Sequence, residues 1–121
     1  MSELLFVYGT LKRGGRNQRQ MAGLAFVGPA RTQPGFRLYD VGGYPGLVAE
    51  PDERNGVSGE VWSVDAAGLA RLDRFEGVAE GLYRREVVPL QSPFADHVVF
   101  TYVFGSAVTG RRAIGEEWRE A

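Results

Sequence analysis

The stretch VSGEVWSVDAAGLARLDRFEG, residues 57–77, decides the fold. Its first eight residues, Val57–Val64, alternate as a strand does, with Glu60, Trp62 and Val64 on one face and Gly59 and Val61 on the other. Gly59 predicts a bulge or a close neighbour. Asp65 is placed to cap a helix, which runs from Ala66 to about Glu76 and which Gly77 can end. It is the one convincing helix in the chain. Everything around it reads as short strands and turns, so the expected architecture is α+β with a sheet that dominates.

Working outward, Leu4–Tyr8 is a short apolar run stopped by Gly9, and its length suits a buried strand. Residues 9–19, GTLKRGGRNQR, form a glycine- and arginine-rich loop, with a weak helical turn expected near Asn17. Short runs follow at Ala25–Ala30, Phe36–Tyr39 and Leu47–Ala49. Turn chemistry at Pro34-Gly35 and at residues 41–46 separates them. Residues 51–56, PDERNG, are another turn, with Asn55-Gly56 as a hairpin signal. Beyond the helix come Leu82–Leu90 and Val98–Phe104. The second run is apolar on both faces, as a central strand or a barrel stave would be. The expected fold is a small mixed β-barrel flanked by short helices, one domain over residues 1–121 with a core at about 4–104. The tail, 105–121, is polar except for Val108, Ile114 and Trp118.

Composition removes several function classes. The chain has 121 residues, 14 basic and 15 acidic, for a net charge of −1, which gives no support to nucleic-acid binding. It has no cysteine, so thiol nucleophiles, disulfides and cysteine-held metals are out. The single histidine, His97, argues against a histidine metal site and is expected to face solvent. No run is long enough to span a membrane, and Ser2-Glu3 does not open a signal peptide, so no membrane partner and a cytoplasmic location are expected.

Three places could carry chemistry. On a helical wheel with Leu69 at 0°, Leu72 falls at about −60° and Glu76 at about −20°. Glu76 therefore lies on the face the helix buries, in its last turn, where burial and the helix dipole both raise a carboxyl pKa. Such a group can exchange protons near neutral pH. The bland alternatives are a helix one turn shorter, a solvent-facing side chain or an arginine pair. The second place is Tyr8-Gly9-Thr10-Leu11, where a strand runs into a loop with free N–H groups able to form an anion nest. It matches no phosphate-binding pattern, and an ordinary glycine turn is the rival reading. The third is Tyr83-Arg84-Arg85-Glu86, with Tyr83 and Arg85 on one strand face; the rival is a salt-bridged exposed strand. Trp62 and Trp118 read as packing or rim residues, and Tyr44 as an aromatic wall within a turn.

Taken in order, Val7–Gly14 (VYGTLKRG) with Asn17, Tyr44–Val48 (YPGLV), Gly59–Trp62 (GEVW), Leu72–Gly77 (LDRFEG) and Tyr83-x-Arg85-x-x-Val88 resemble the γ-glutamylcyclotransferase-like superfamily. The likeness is closest to its γ-glutamylamine cyclotransferase and AIG2-like branch and spans about residues 4–104. It implies a small mixed barrel and a transferase-type or lyase-type enzyme. That enzyme would cyclise a γ-glutamyl group to 5-oxoproline and expel the attached amine or amino acid. It implies Glu76 as the acid/base, and Tyr8, Gly9, Thr10, Leu11, Tyr83 and Tyr102 as the residues that bind a small-molecule γ-glutamyl substrate. It implies no metal and no organic cofactor. A non-catalytic module that senses a similar metabolite, and a protein-interaction domain using the arginine-rich loop and the tail around Trp118, are the other readings.

Overall fold

The computed structural model describes residues 2–119. Seven strands, β1 (Ser2–Val7), β2 (Ala25–Arg31), β3 (Phe36–Asp40), β4 (Pro45–Ala49), β5 (Ser58–Asp65), β6 (Tyr83–Val87) and β7 (Val99–Phe104), form one mixed sheet, with helix α1 (Ala66–Phe75) following β5 directly. A 3₁₀ turn, Gln18–Met21, takes the place of the weak helical turn expected near Asn17. The strand order is β2-β5-β1-β7-β4-β3, and β6 pairs with β7 off this path. The fold is therefore the α+β sheet that the strand runs imply.

Two expectations need correction. The strand pairing does not close into a barrel. The sheet is curled and open, and a single bridge, Thr32 to Leu90, ties the end of β2 to the residues after β6. Nor is Asn55-Gly56 a hairpin turn, because β4 pairs with β3 and β7 while β5 pairs with β1 and β2. Of the two readings of Gly59, a close neighbour is the one that holds: a Cβ there would lie 2.5 Å from Val7 O, while the bulge lies across the ladder, between Phe26 and Gly28 of β2.

Strand β1 lies between β5, antiparallel, and β7, parallel. Its alternation sends Leu5 and Val7 into one buried cluster with Trp62, Leu69 and Leu72, and Phe6 and Tyr8 into a second with Leu38, Leu47 and Val61. Strand β7 is central, as its two apolar faces imply. β6 runs along one of its edges over Phe100–Phe104, so β1, paired at Val99 and Phe100, and β4, paired at Val103, share the other edge in succession. β1 and β4 thus fork away from β7.

Asp65 caps α1, its Oδ1 accepting the Gly68 N–H at 2.7 Å. Burial of Leu69 and Leu72 holds the helix to the sheet, each contributing about 2 kcal/mol. The helix ends in a Schellman turn. Gly77, at φ +67°, donates to the Arg74 carbonyl and Val78 to the Asp73 carbonyl, which makes Glu76 the C-cap, just past Phe75. The tail crosses the molecule: Ile114 donates to the Leu38 carbonyl, Ser58 to that of Glu116 and Lys12 Nζ to that of Trp118. Ile114 and Trp118, two of its three apolar residues, pack against the second cluster, and Val108 against the first.

Candidate active site

Where β1 ends and the fork opens, a cavity of about 250 Å³ lies against the C-terminal end of α1. Tyr8, Gly9, Thr10, Leu11, Glu76, Tyr83 and Tyr102 all line it. So do residues to which the sequence reading gave no individual role in the site, among them Arg16, Pro45, Phe75 and Leu82. Only the folded 9–17 loop brings Arg16 here, where its guanidinium donates to the Gly43 carbonyl, and no spacing in the sequence announces that. Tyr44 supplies a wall, while His97 is solvent-exposed beside Phe94 and far from this role.

The loop after β1 is held at both ends. Lys12 N–H bonds to Gly9 O (3.1 Å), Asn17 N–H to Thr10 O (3.0 Å) and Asn17 Nδ2 to Thr10 Oγ1 (3.0 Å). Glu60 is buried within β5 and fixes the loop from below. It accepts the Arg13 backbone N–H at 3.0 Å, Arg13 Nε at 3.1 Å and Trp62 Nε1 at 3.2 Å. This explains Gly59-Glu60-Val61-Trp62 structurally, since a buried carboxylate is tolerated when its lone pairs are satisfied. The successive N–H groups of Gly9, Thr10 and Leu11 donate to no other described residue. All three residues line the cavity. Gly9 is glycine for a different reason from ligand access: a Cβ there would lie 2.5 Å from Pro45 Cγ.

Other residues of the lining carry acceptors. Glu76 is half-buried, and burial pushes its carboxyl from 4.5 to about 7. Its side chain makes no hydrogen bond or ion pair with any described residue, so the arginine-paired alternative does not hold. Around it stand three tyrosines whose hydroxyl protons are already committed. Tyr8 donates to Tyr102 O (2.5 Å), Tyr83 to Pro45 O (2.8 Å) and Tyr102 to Asp73 Oδ1 (2.7 Å). Burial raises all three phenol pKa values, and the charge of Glu76 adds to each, so they stay neutral. Toward a ligand, Tyr83 and Tyr102 can offer only lone pairs. Tyr8 also accepts the Leu47 N–H at 3.1 Å, which makes its hydroxyl chiefly a strut.

The lining of the cavity therefore combines backbone N–H groups that have no partner among the described residues with side-chain acceptors, a combination suited to a small zwitterion. Among the described residues no group of three or more His, Asp or Glu could hold a metal ion, and no helix is long and apolar enough to cross a membrane.

The Glu76 shift has a stability signature. A carboxyl whose pKa rises on folding stabilises the fold fully below its unfolded value, near 4.5, and that contribution is lost as pH rises through about 7. Glu76→Gln lacks this loss. The melting temperature of the Gln variant relative to wild type should therefore climb from pH 5 to pH 8. A constant difference across that range would contradict the buried-carboxyl assignment.

A family model described as "Gamma-glutamyl cyclotransferase, AIG2-like" matches residues 5–120. A Vibrio cholerae protein provisionally named gamma-glutamylcyclotransferase is 39% identical over 102 residues, covering 84% of each chain. The human gamma-glutamylaminecyclotransferase is 39% identical over 95 residues, covering 73% of this chain and 61% of its own. The crystal structure of a mouse AIG2-like protein superposes with a TM-score of 0.72 at 32% identity, covering 88% of this chain and 78% of that one.

Proposed function

Because the chain belongs to the gamma-glutamyl cyclotransferase, AIG2-like family, we propose that it cyclises a γ-glutamyl group to 5-oxoproline and releases the attached amine or amino acid. The observation that carries this reading is a carboxyl group raised to about 7, free of any partner among the described residues, in a small cavity also lined by Gly9, Thr10 and Leu11, whose N–H groups have no partner among the described residues.

The reaction needs no protein nucleophile. The α-amine nitrogen of the substrate attacks its own γ-carbonyl carbon, a C–N bond forms within the new five-membered ring, and the original amide C–N bond breaks. Glu76 takes the proton that the attacking ammonium must lose and returns one to the leaving nitrogen. A carboxyl titrating near neutrality suits both directions. Lone pairs of Tyr83 and Tyr102 accept N–H donors beside it. The N–H groups of Gly9, Thr10 and Leu11 receive an anion, either the α-carboxylate or the oxygen on which charge develops. Holding the substrate folded among these groups supplies proximity, which for ring closure is a large share of the rate.

The test is a panel of γ-glutamyl compounds, with free amines, polyamines and amino acids as leaving groups, assayed for released 5-oxoproline. Turnover of at least one supports the proposal. Compounds that bind without any 5-oxoproline appearing would make the protein a sensor instead of an enzyme.

A further inference from the structure

We propose that Asp73 is the positioning residue for Glu76, anchoring the last turn of α1 to the facing pair Arg85 and Tyr102 of the sheet; the assignment rests on the acid/base role given to Glu76 above.

The last turn of α1 has little else to hold it. The buried residues of the helix are Gly68, Leu69 and Leu72, and nothing after Leu72 is buried. Phe75 is 39% exposed, so the apolar docking of the end that carries Glu76 comes from Val78, which is only partly buried against the first cluster. Arg71 reaches the Gln20 carbonyl at 3.1 Å, but that tie lies more than a turn before Glu76.

Asp73 connects the turn in two directions. Its carbonyl accepts the Val78 N–H at 3.0 Å, closing the Schellman turn around Glu76. Its carboxylate takes Tyr102 Oη at 2.7 Å and Arg85 Nε at 2.9 Å on Oδ1, and Arg85 Nη2 at 3.2 Å on Oδ2. Arg85 and Tyr102 are direct partners across β6 and β7, so one carboxylate grips both strands at a single register position. The two-point contact with Arg85 fixes orientation as well as distance. Arg85 is itself steadied, its guanidinium lying 5.3 Å from the Phe100 ring centre. The same bond takes the Tyr102 proton and leaves that oxygen an acceptor toward the cavity.

The side chains of Asp73 and Arg85 are 24% and 31% exposed, so this pair adds little to global stability. Its effect is on geometry, where a misplacement of about 1 Å can cost on the order of 100-fold in rate. That contrast makes the role testable.

Asp73→Ala, Asp73→Asn and, as a loosened control away from the cavity, Arg37→Ala would be compared with wild type. The readouts are kcat, KM, melting temperature and a carbon-13 NMR titration of the Glu76 carboxyl, which needs no substrate. The titratable and charged groups around Glu76 are Tyr8, Tyr83 and Tyr102, with Arg16 and Tyr44 elsewhere on the wall. Asp73→Ala should lower kcat by about 10–100-fold with KM within about threefold. It should lower melting by only a few degrees, ~5 °C at most. It should also move the Glu76 titration down, as the turn opens to water and the burial that raises it is relieved. Asp73→Asn, which still accepts from Tyr102, should recover most of the lost rate, and Arg37→Ala should keep kcat. An unchanged Glu76 titration in Asp73→Ala would overturn the proposal. So would Asn performing no better than Ala, or Arg37→Ala losing as much rate. If wild type releases no 5-oxoproline, the reading in the preceding section fails, while the NMR titration still decides Asp73.

Discussion

Replacing Glu76 by glutamine will lower 5-oxoproline release by about 10²–10⁴-fold, the usual worth of a positioned acid/base, while ligand affinity stays close to that of wild type. Glutamine matches the size of the side chain and removes only its titratable proton. In the proposed mechanism the groups that bind are elsewhere: the N–H groups of Gly9, Thr10 and Leu11 belong to a loop held by Glu60 and Asn17, and the tyrosine oxygens are fixed by their own bonds. Binding and turnover should therefore separate cleanly. Calorimetric titration with a substrate, beside the release assay, checks both at once. A Gln variant that turns over at the wild-type rate would remove Glu76 from the mechanism.

The second large effect is structural. Tyr8→Phe removes one oxygen and should cost about 3 kcal/mol, because it strands two buried backbone groups at about 1–3 kcal/mol each. Those groups are the Leu47 N–H and the Tyr102 carbonyl, which the Tyr8 hydroxyl bridges at 3.1 and 2.5 Å. The bridge sits where β1 and β4 part from β7, with Leu47 paired to Val103 as the one β4–β7 register pair. A side chain does there what a ladder hydrogen bond does elsewhere in the sheet. Urea unfolding of the two proteins measures the loss directly, and a difference under about 1 kcal/mol would contradict this account of the fork.

Local patterns in the chain carried over into the structure wherever their cause was local. Asp65 before an apolar 3.6-residue period gave a capped helix, and period-two alternation assigned the faces of β5 and β7 correctly. Gly77 after Glu76 marked a left-handed helix end, and the wheel put Glu76 beside Leu69 and Leu72, on the side that meets the cavity. What misled was whatever depended on partners distant in sequence. Asn55-Gly56 has hairpin chemistry, but its flanking strands find better neighbours in β1 and β7. Two apolar faces on β7 are as consistent with a forked open sheet as with a barrel stave. The polar residues around Arg112 and Glu116 hid a tail that bonds across β3 and β5. The tyrosines were legible as cavity residues, but their fixed hydroxyl directions come from acceptors 38, 29 and 94 positions away.

The place of β1 has a kinetic consequence. Its neighbours are β5, with Ser2 opposite Asp65, and β7, with Leu4 opposite Val99. This early strand pairs with one partner from the middle of the sequence and one from much later, and loops of that length close slowly, so folding is dominated by non-local contacts and belongs to the slower class of small domains. During synthesis the loop at 9–11 emerges well before Glu76, Tyr83 and Tyr102, and the cavity is complete only once Tyr102 has left the ribosome. Leu5, Phe6 and Val7 therefore stay unpaired until β5 has been made, and Leu5 keeps a bare edge until β7 has, which gives this short apolar run a claim on a holding chaperone.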